Sequence, residues 1–353
     1  MTDRPRKGRG ATCNPANRYA ATRHEAVDDG WGSLDAPLPP LPTTVGIDTA
    51  RSIITYNDSP DIPIDRSINP YRGCEHGCIY CYARPSHARC DLSPGLDFET
   101  RLFCKPDAAP LLRKELAARG YCPATVGIGV NTDAYQPIER THRITRSLLE
   151  VLAEARHPVS LITKSSLIER DMDLLAPMAA RGLVEVAISI TTLDTELARR
   201  LEPRASRAER RLETIARLSA AGIPVSILVA PVIPVLTDAE MEGLLEKGRA
   251  AGAVDAGYQM LRLPLELKAL FEGWLEAHYP DSATHVLARL REFHGGREYD
   301  SGFGRRMRGS GIYAELMRKR FKVAYERLAF PGAPPLETGL FTAPALDGQI
   351  GLF

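Results

Sequence analysis

Three cysteines within a span of eight residues are the part of this sequence with the clearest chemistry. Cys74, Cys78 and Cys81 form a C-x3-C-x2-C motif. Three thiolates on one short loop can bind three corners of a [4Fe–4S] cluster, and the fourth iron is then left without a protein ligand. A catalytic metal site keeps such an open position, whereas a structural site closes it. The motif therefore predicts a catalytic iron–sulfur site.

A zinc site is the alternative interpretation of the same cysteines, with His76 or His87 as a further ligand. Structural zinc sites favour paired C-x2-C units, and the sequence has no second pair. The other four cysteines are scattered: Cys13, Cys90, Cys104 and Cys122. We expect these four to be reduced thiols, because three clustered cysteines in an odd total of seven indicate metal binding before disulfides.

Around the motif, apolar segments rich in β-branched residues alternate with helical patterns. The segments lie at residues 125–130, 159–163, 184–190, 225–230 and 257–263, and helical patterns include 107–119 and 140–156. Two capping-box sequences, which begin at Ser206 and Thr237, predict further helix starts. This alternation predicts an α/β fold with parallel strands. Six or so units are too few for an eight-stranded barrel, so we predict an open or partial barrel.

Four regions divide the chain in this interpretation. Residues 1–66 are rich in Pro, Gly and Asp and predict an extended N-terminal arm. Residues 67–265 form the barrel core, residues 266–330 a helical basic extension, and residues 331–353 a C-terminal tail.

Polar residues follow the predicted strands, where chemistry collects in folds of this class. Thr132 and Asp133 come after the second strand, and Lys164 comes directly after the third. Ser189 lies at the end of the fourth. A lysine at the end of a buried strand is costly unless it has a partner, so Lys164 is a candidate ligand-binding residue.

The cysteine segment, with Tyr80 before the last cysteine, resembles the radical S-adenosylmethionine (SAM) superfamily. Residues 66–265 resemble its spore photoproduct lyase-like branch through these segments: Asn131-Thr-Asp133, Ile162-Thr-Lys-Ser165, Arg170-Asp171, Ser189-Ile-Thr-Thr-Leu193, Leu201-Glu-Pro203 and Val229-Ala-Pro-Val-Ile-Pro234.

The resemblance implies cofactors and roles for these residues. It implies a partial (β/α)6 barrel with SAM across the strand ends and a [4Fe–4S] cluster whose open iron binds SAM. It also implies cleavage of SAM to a 5′-deoxyadenosyl radical and an electron donor such as flavodoxin or ferredoxin. It places Thr132 and Asp133 near the polar end of SAM, Lys164 near its carboxylate and Ser189 at its ribose. A cation suits a carboxylate and a hydroxyl suits a ribose.

One position departs from the pattern of this branch. Spore photoproduct lyases carry a hydrogen-donating cysteine two residues before the Ser or Thr that ends the second strand, and Val130 stands there in this sequence. A valine side chain cannot relay a hydrogen atom. We therefore expect a reaction other than the repair of spore photoproduct.

Two C-terminal features suggest nucleic acid as a partner. Residues 284–327 contain eleven Lys/Arg against five Asp/Glu, an excess of six in a chain that nets +1. Such a region can bind phosphates or form a solvated helical face. The last residues include Gln349, Ile350, Leu352 and Phe353, and they resemble the peptide that docks bacterial repair proteins on the sliding clamp. The alternative for these residues is a tail that folds back on its own domain.

The composition is that of an ordinary globular protein, with 353 residues, 44% hydrophobic and 25% charged. The charged N-terminus leads into no apolar signal segment, and the longest apolar run, 223–236, contains three prolines. We predict a cytoplasmic enzyme without a membrane partner that acts on DNA or RNA. The alternatives are a radical SAM enzyme for a protein or small molecule and a non-catalytic, metal-stabilised nucleic-acid-binding module.

Overall fold

The predicted strands form a parallel sheet in the computed structural model, which describes residues 5–20, 41–297, 299–300 and 302–346. The strands of these ranges are β1 (Thr44–Ile47), β2 (Ile54–Tyr56), β3 (Arg66–Ile68), β4 (Tyr71–Arg72), β5 (Arg101–Cys104), β6 (Val126–Ile128), β7 (Val159–Thr163), β8 (Val184–Ile190), β9 (Val225–Val232) and β10 (Asp255–Met260).

The main sheet has the strand order β10-β9-β8-β7-β6-β3-β2. Strands β3 and β6 to β10 pair in parallel and in chain order, whereas β2 pairs antiparallel with β3. A smaller sheet has the order β1-β5-β4. The predicted α/β class with a parallel sheet is confirmed. Within the described ranges no strand pairing joins β10 to β2, so the main sheet is open.

Helices connect the parallel strands, since a parallel pair needs a long crossover. They are α1 (Asp97–Thr100), α2 (Ala108–Leu116), α3 (Glu139–His142), α4 (Ile144–Glu154), α5 (Met172–Ala179), α6 (Thr195–Leu201), α7 (Ala208–Ala220), α8 (Met241–Ala250), α9 (Leu267–His278), α10 (Pro280–Phe293) and α11 (Ile312–Arg327). Short 3-10 helices occupy Arg84–Cys90, Ser166–Asp171 and Asp238–Glu240.

The helix predictions need two corrections. The pattern at 140–156 is interrupted at Arg143, whose left-handed φ of 52° separates α3 from α4. The two capping-box sequences correctly predict nearby helix starts, at Ala208 and at Asp238, but neither hydroxyl caps its helix. Ser206 Oγ accepts a hydrogen bond from the Ser166 N–H (3.0 Å), and Thr237 Oγ1 accepts one from the Ile233 N–H (2.8 Å). Each hydroxyl therefore accepts from a backbone N–H group outside the helix that follows it in the sequence.

The two faces of the main sheet are buried to different extents. Val184, Val186 and Ile188 of β8 are at most 1% exposed and belong to the main hydrophobic core. The alternate residues Glu185 and Ala187 are only partly buried. Because successive side chains of a strand point to opposite faces, one face of the sheet is packed and the other is partly open.

The region predicted as an arm contributes β1 and β2, and Gly10 and Ala11 pack against the loop that carries the three cysteines. At the other end, the segment after α11 returns to the core, where the Thr342 N–H donates to the Ala155 carbonyl (2.9 Å). The clamp-like residues Gln349 to Phe353 lie outside the described ranges. None of the helices in those ranges has the length and apolar character needed to cross a bilayer.

Candidate active site

The loop that carries the cysteines begins directly after β4. Gly73 has a φ of +72°, and a Cβ there would lie 2.7 Å from the Phe98 carbonyl oxygen, so only glycine fits without a shift. The Cys74 N–H donates to the same carbonyl (2.9 Å). The thiols of Cys74 and Cys78 are buried and Cys81 is half-buried. The fold therefore brings the three predicted ligands together on one restrained loop.

A fully buried arginine restrains this loop from below. Arg84 donates to the carbonyl oxygens of Gly77 (3.0 Å) and Cys78 (2.8 Å), and it forms an ion pair with Glu99 (3.0 Å). The second role of Glu99 is to accept hydrogen bonds from the backbone N–H groups of residues 10 and 11 (3.0 and 2.8 Å). The N-terminal segment is thus attached to the cysteine loop through one buried carboxylate.

The chemistry of the three thiols suits a bound metal cluster. Burial raises the pKa of Cys78 to about 12 and also raises the pKa of Cys74 and Cys81. Metal binding requires thiolates and releases their protons, so a cationic cluster supplies the charge that a buried thiolate needs.

Both histidines of the zinc alternative have other partners. His87 Nε2 lies 3.0 Å from the Arg101 carbonyl oxygen, and His76 Nδ1 lies 3.3 Å from Asp133 Oδ2. In the described part of the chain, no three His, Cys, Asp or Glu side chains come close enough to hold a single metal ion.

Thr132 lies under the cysteine loop and holds its first residue. Its hydroxyl donates to the Gly73 carbonyl (2.7 Å), and Gln136 Nε2 donates to both of these oxygens (3.2 Å to Gly73, 3.0 Å to Thr132). Gln136 also accepts from the Glu75 N–H (2.8 Å). Sequence reasoning missed Gln136, which lies four residues after Thr132 and is fully buried.

Asp133 links the ends of β6 and β7 to the cysteine loop. One carboxylate oxygen accepts from the Thr163 hydroxyl (2.7 Å), and the other accepts from the Lys164 N–H (2.8 Å) and lies beside His76. Although burial opposes ionisation, His76 and these two donors lower the pKa of Asp133 to about 2. Asp133 is therefore a largely buried carboxylate that neighbouring donors keep ionised.

The ammonium group of Lys164 lies at the centre of the site. Nζ donates to Ser189 Oγ (2.6 Å) and to the Ala230 carbonyl (3.2 Å), and it is 5.7 Å from the centre of the Tyr80 ring. Ser189 Oγ in turn donates to the Ala230 carbonyl (3.0 Å). The predicted pair, Lys164 and Ser189, is therefore in direct contact beside the cysteine loop.

A buried network around Glu202 was missed by sequence reasoning. The Tyr80 hydroxyl donates to the Glu202 carboxylate, which also pairs with Arg211. Arg211 donates to the Ser189 carbonyl (2.8 Å). Although burial opposes it, Arg211 lowers the pKa of Glu202. The sequence did indicate that Arg211 is buried. It stands at a position of the helical apolar repeat in α7 that also includes Ala208, Ile215 and Leu218.

Comparison with known proteins identifies the family of this fold and site. The family model described as the radical SAM superfamily matches residues 68–248. The chain belongs to the radical SAM superfamily. It is therefore an enzyme whose cofactors are a [4Fe–4S] cluster and SAM. The non-catalytic module considered from the sequence does not agree with this membership.

Two uncharacterized proteins illustrate the spread of its relatives. One from Mycobacterium tuberculosis is 34% identical over 294 residues, which cover 80% of this chain and 82% of the relative. One from Methanocaldococcus jannaschii is 29% identical over 216 residues, which cover 61% of this chain and 76% of the relative.

Solved structures of spore photoproduct lyase share the fold of this radical SAM enzyme. A cysteine-to-serine mutant of the lyase is 17% identical, with a TM-score of 0.56 over 81% of this chain and 79% of the lyase. A double mutant with bound AdoMet and dinucleoside spore photoproduct gives the same TM-score, identity and coverage.

Ion pairs neutralise more of the positive charge of the basic C-terminal region than its composition suggests. Three of the carboxylates that pair with it lie outside residues 284–327, which lowers the local excess of positive charge from six to three. The ion pairs are Arg289–Glu292, Arg305–Asp300, Arg306–Asp61, Lys319–Glu315, Arg320–Glu242, Lys322–Glu326 and Arg327–Glu246. Most of these cations therefore form ion pairs that join parts of the fold or lie along a helix surface.

Proposed function

We propose that Cys74, Cys78 and Cys81 bind the [4Fe–4S] cluster and that the enzyme cleaves SAM reductively. The observation that carries this proposal is the position of three buried or half-buried thiols on a loop fixed by Arg84, beside the ammonium group of Lys164. When bound, the cluster and SAM together supply a 5′-deoxyadenosyl radical, and the protein supplies position and electrostatics.

For SAM itself we propose two direct contacts and two supporting residues. Lys164 binds the carboxylate and Ser189 the ribose, since both side chains meet at one point beside the loop. Thr132 and Asp133 shape the polar end from below, because their hydrogen bonds fix the loop and the backbone of Lys164. The six parallel strands, ordered along the chain and open between β10 and β2, support a partial (β/α)6 barrel that presents these groups at its strand ends.

For the substrate we propose a nucleic acid. Support comes from the fold shared with a lyase that was solved with dinucleoside spore photoproduct, and from the positive excess that remains in residues 284–327. Val130 in place of the family's cysteine favours a reaction other than spore photoproduct repair. A second candidate, a protein or small-molecule substrate, is favoured by the internal pairing of most of those cations.

We further propose two partners and a location. Gln349, Ile350, Leu352 and Phe353 dock on the sliding clamp, because Leu352 and Phe353 are two large apolar side chains that suit a pocket. A reducing cytoplasm with flavodoxin or ferredoxin as electron donor suits cysteines that form no disulfide in the described ranges.

Anaerobic reconstitution with iron and sulfide, followed by reduction with SAM, tests the central proposal. We expect 5′-deoxyadenosine from the wild type and from Cys122→Ala, whose thiol is exposed, but not from Cys74→Ala. The same assay with single-stranded DNA, duplex DNA and RNA tests the substrate. A Cys74→Ala protein that kept a four-iron absorbance spectrum and cleaved SAM would exclude the proposed ligand set.

A further inference from the structure

The sheet face that carries Lys164 and Ser189 continues towards the start of the strands as a partly polar surface. Because alternate residues of a strand share one face, Ser160 on β7 and Glu185 on β8 lie on the face of Lys164 and Ser189. Ser160 and Glu185 are also register partners. At about 3.3 Å per residue, they lie about 13 Å along the strands from Lys164 and Ser189.

A cavity of about 220 Å³ lies at this surface. We call it the concave-face cavity, and its lining includes Ser160, Glu185, Ser226, Asp255 and Gly257. Liquid water occupies about 30 Å³ per molecule, so the cavity has room for about seven waters. That space suits a heterocyclic ring, whereas a single ammonium group would leave most of it unfilled.

Two acceptors in the concave-face cavity have hydrogen-bonding capacity that the protein does not use. Ser160 is 6% exposed, and its hydroxyl makes no hydrogen bond to any residue of the described ranges. Glu185 has neither a hydrogen bond nor an ion pair within those ranges. Asp255, by contrast, accepts from the Tyr325 hydroxyl (2.7 Å). Because a polar side chain as buried as Ser160 is normally hydrogen-bonded, its unpartnered hydroxyl, next to the partly buried carboxylate of Glu185, indicates a ligand that supplies donors.

The chemistry of these groups selects among the possible parts of a nucleic acid. An ionised carboxylate only accepts hydrogen bonds and repels phosphate, so the sugar–phosphate backbone is excluded from the concave-face cavity. The exocyclic amines of cytosine, adenine and guanine are donors to a carboxylate, whereas thymine has no exocyclic amine. Glu185 therefore favours an amino-bearing base.

We propose that the concave-face cavity receives an extruded amino-bearing nucleobase, cytosine, adenine or guanine, with Glu185 accepting a hydrogen bond from its exocyclic amine. Enzymes that act on nucleic acids commonly read an extruded base in such a pocket. The separation of about 13 Å along the strands from Lys164 and Ser189 makes this a recognition subsite and not the reacting position. This inference rests on the proposed nucleic-acid function and deepens it.

Equilibrium binding of labelled single-stranded dC, dA and dT 12-mers to the full-length reconstituted enzyme tests the proposal. We expect the dC and dA oligonucleotides to bind at least about tenfold more tightly than the dT oligonucleotide, as expected for a hydrogen bond to a charged group. In Glu185→Gln the amide both donates and accepts, so the preference should fall to within about threefold. Glu209→Gln, on the exposed side of α7, is the matched control and should keep the preference.

Each other outcome has a defined meaning. Equal binding of the three oligonucleotides by the wild type, or a preference that persists in Glu185→Gln, overturns the inference. In either case, stimulation of 5′-deoxyadenosine formation by the oligonucleotides in the same samples would still support a nucleic-acid substrate. If no nucleic acid binds or stimulates SAM cleavage, the proposed nucleic-acid substrate is wrong, and the inference is overturned with it. Binding of arginine amide that Glu185→Gln abolishes, without oligonucleotide binding, overturns the inference in favour of a cationic ligand.

Discussion

The guanidinium of Arg211 and the carboxylate of Glu202 form an ion pair whose side chains are only 1% and 3% exposed. The pair connects three parts of the candidate active site. Glu202 accepts from Tyr80, which stands between two of the cysteines, and Arg211 donates to the backbone of Ser189. We infer that this pair positions the cysteine loop relative to the end of β8.

Removal of one partner of this pair should be costly. Glu202→Gln leaves the Arg211 charge buried without a counterion, and we expect a loss of about 3–5 kcal/mol in the free energy of unfolding. Urea denaturation of the apoprotein measures it. Glu315→Gln, which breaks an exposed pair with Lys319, is the matched control and should cost at most about 1 kcal/mol. Equal effects of the two substitutions would contradict a positioning role for the buried pair.

The SAM contacts predict a graded loss of affinity. Lys164→Ala should weaken SAM binding by about 1.5–3 kcal/mol, since it removes a charge-assisted hydrogen bond to the carboxylate. Ser189→Ala should cost about 1 kcal/mol, the contribution of one neutral hydrogen bond. Titration of the reconstituted enzyme with SAM measures both, and the iron–sulfur absorbance should be unchanged. An unaltered SAM affinity in Lys164→Ala would remove this residue from the proposed site.

The N-terminal segment should stabilise the cysteine loop. A Cβ added at Gly10 would lie only 1.8 Å from the Gly77 carbonyl oxygen, so Gly10→Ala must displace the segment or the loop. We expect a loss of about 1–3 kcal/mol in unfolding free energy and faster removal of iron by a chelator. Gly243→Ala, at an open position within α8, should be neutral or stabilising by up to about 1 kcal/mol. If the two variants release iron at the same rate, the segment does not support the loop.

His157 predicts a loss of stability in mild acid. Burial lowers its pKa to about 4 from an ordinary value of 6.5, because the ring packs against Tyr121 and Phe341, and the hydrogen bond to the Pro158 carbonyl only partly opposes this shift. The unfolded chain therefore binds the proton more readily than the folded chain. Stability is fully present above pH 6.5 and falls between pH 6.5 and 4, by about 3 kcal/mol at most.

The comparison of wild type with His157→Gln isolates this effect. Chemical denaturation between pH 4 and pH 8 should show a smaller fall for the variant, because glutamine does not titrate. Parallel curves for the two proteins would mean that other groups, such as His87 with its similarly lowered pKa, account for the acid sensitivity.

The clamp proposal can be tested apart from catalysis. A peptide of residues 340–353 should bind the bacterial sliding clamp in the micromolar range, about −8 kcal/mol, through two apolar anchors and the glutamine. Replacement of Leu352 and Phe353 by Ala should abolish binding in the peptide and in the full-length enzyme without a change in SAM cleavage. No binding by either form would remove the clamp from the set of partners.

The sequence by itself determined the chemistry of the site. The spacing of Cys74, Cys78 and Cys81 is local, so a short loop brings the three thiols together in any fold that exposes it. Lys164 and Ser189 could also be found, because both stand at strand ends and the ends of parallel strands meet at one edge of a sheet. The α/β class followed from the same alternation of strands and helices.

The tertiary structure decided which buried charges support those residues. Glu99 and Glu202 find their partners through folding, and no local pattern links Glu99 to residues 10 and 11 across almost ninety positions. Arg306 belongs to a basic run in the sequence, yet it pairs with Asp61 from the opposite part of the chain. The energy of a charge depends on burial and on its nearest counterion, and both are set only when distant segments pack together.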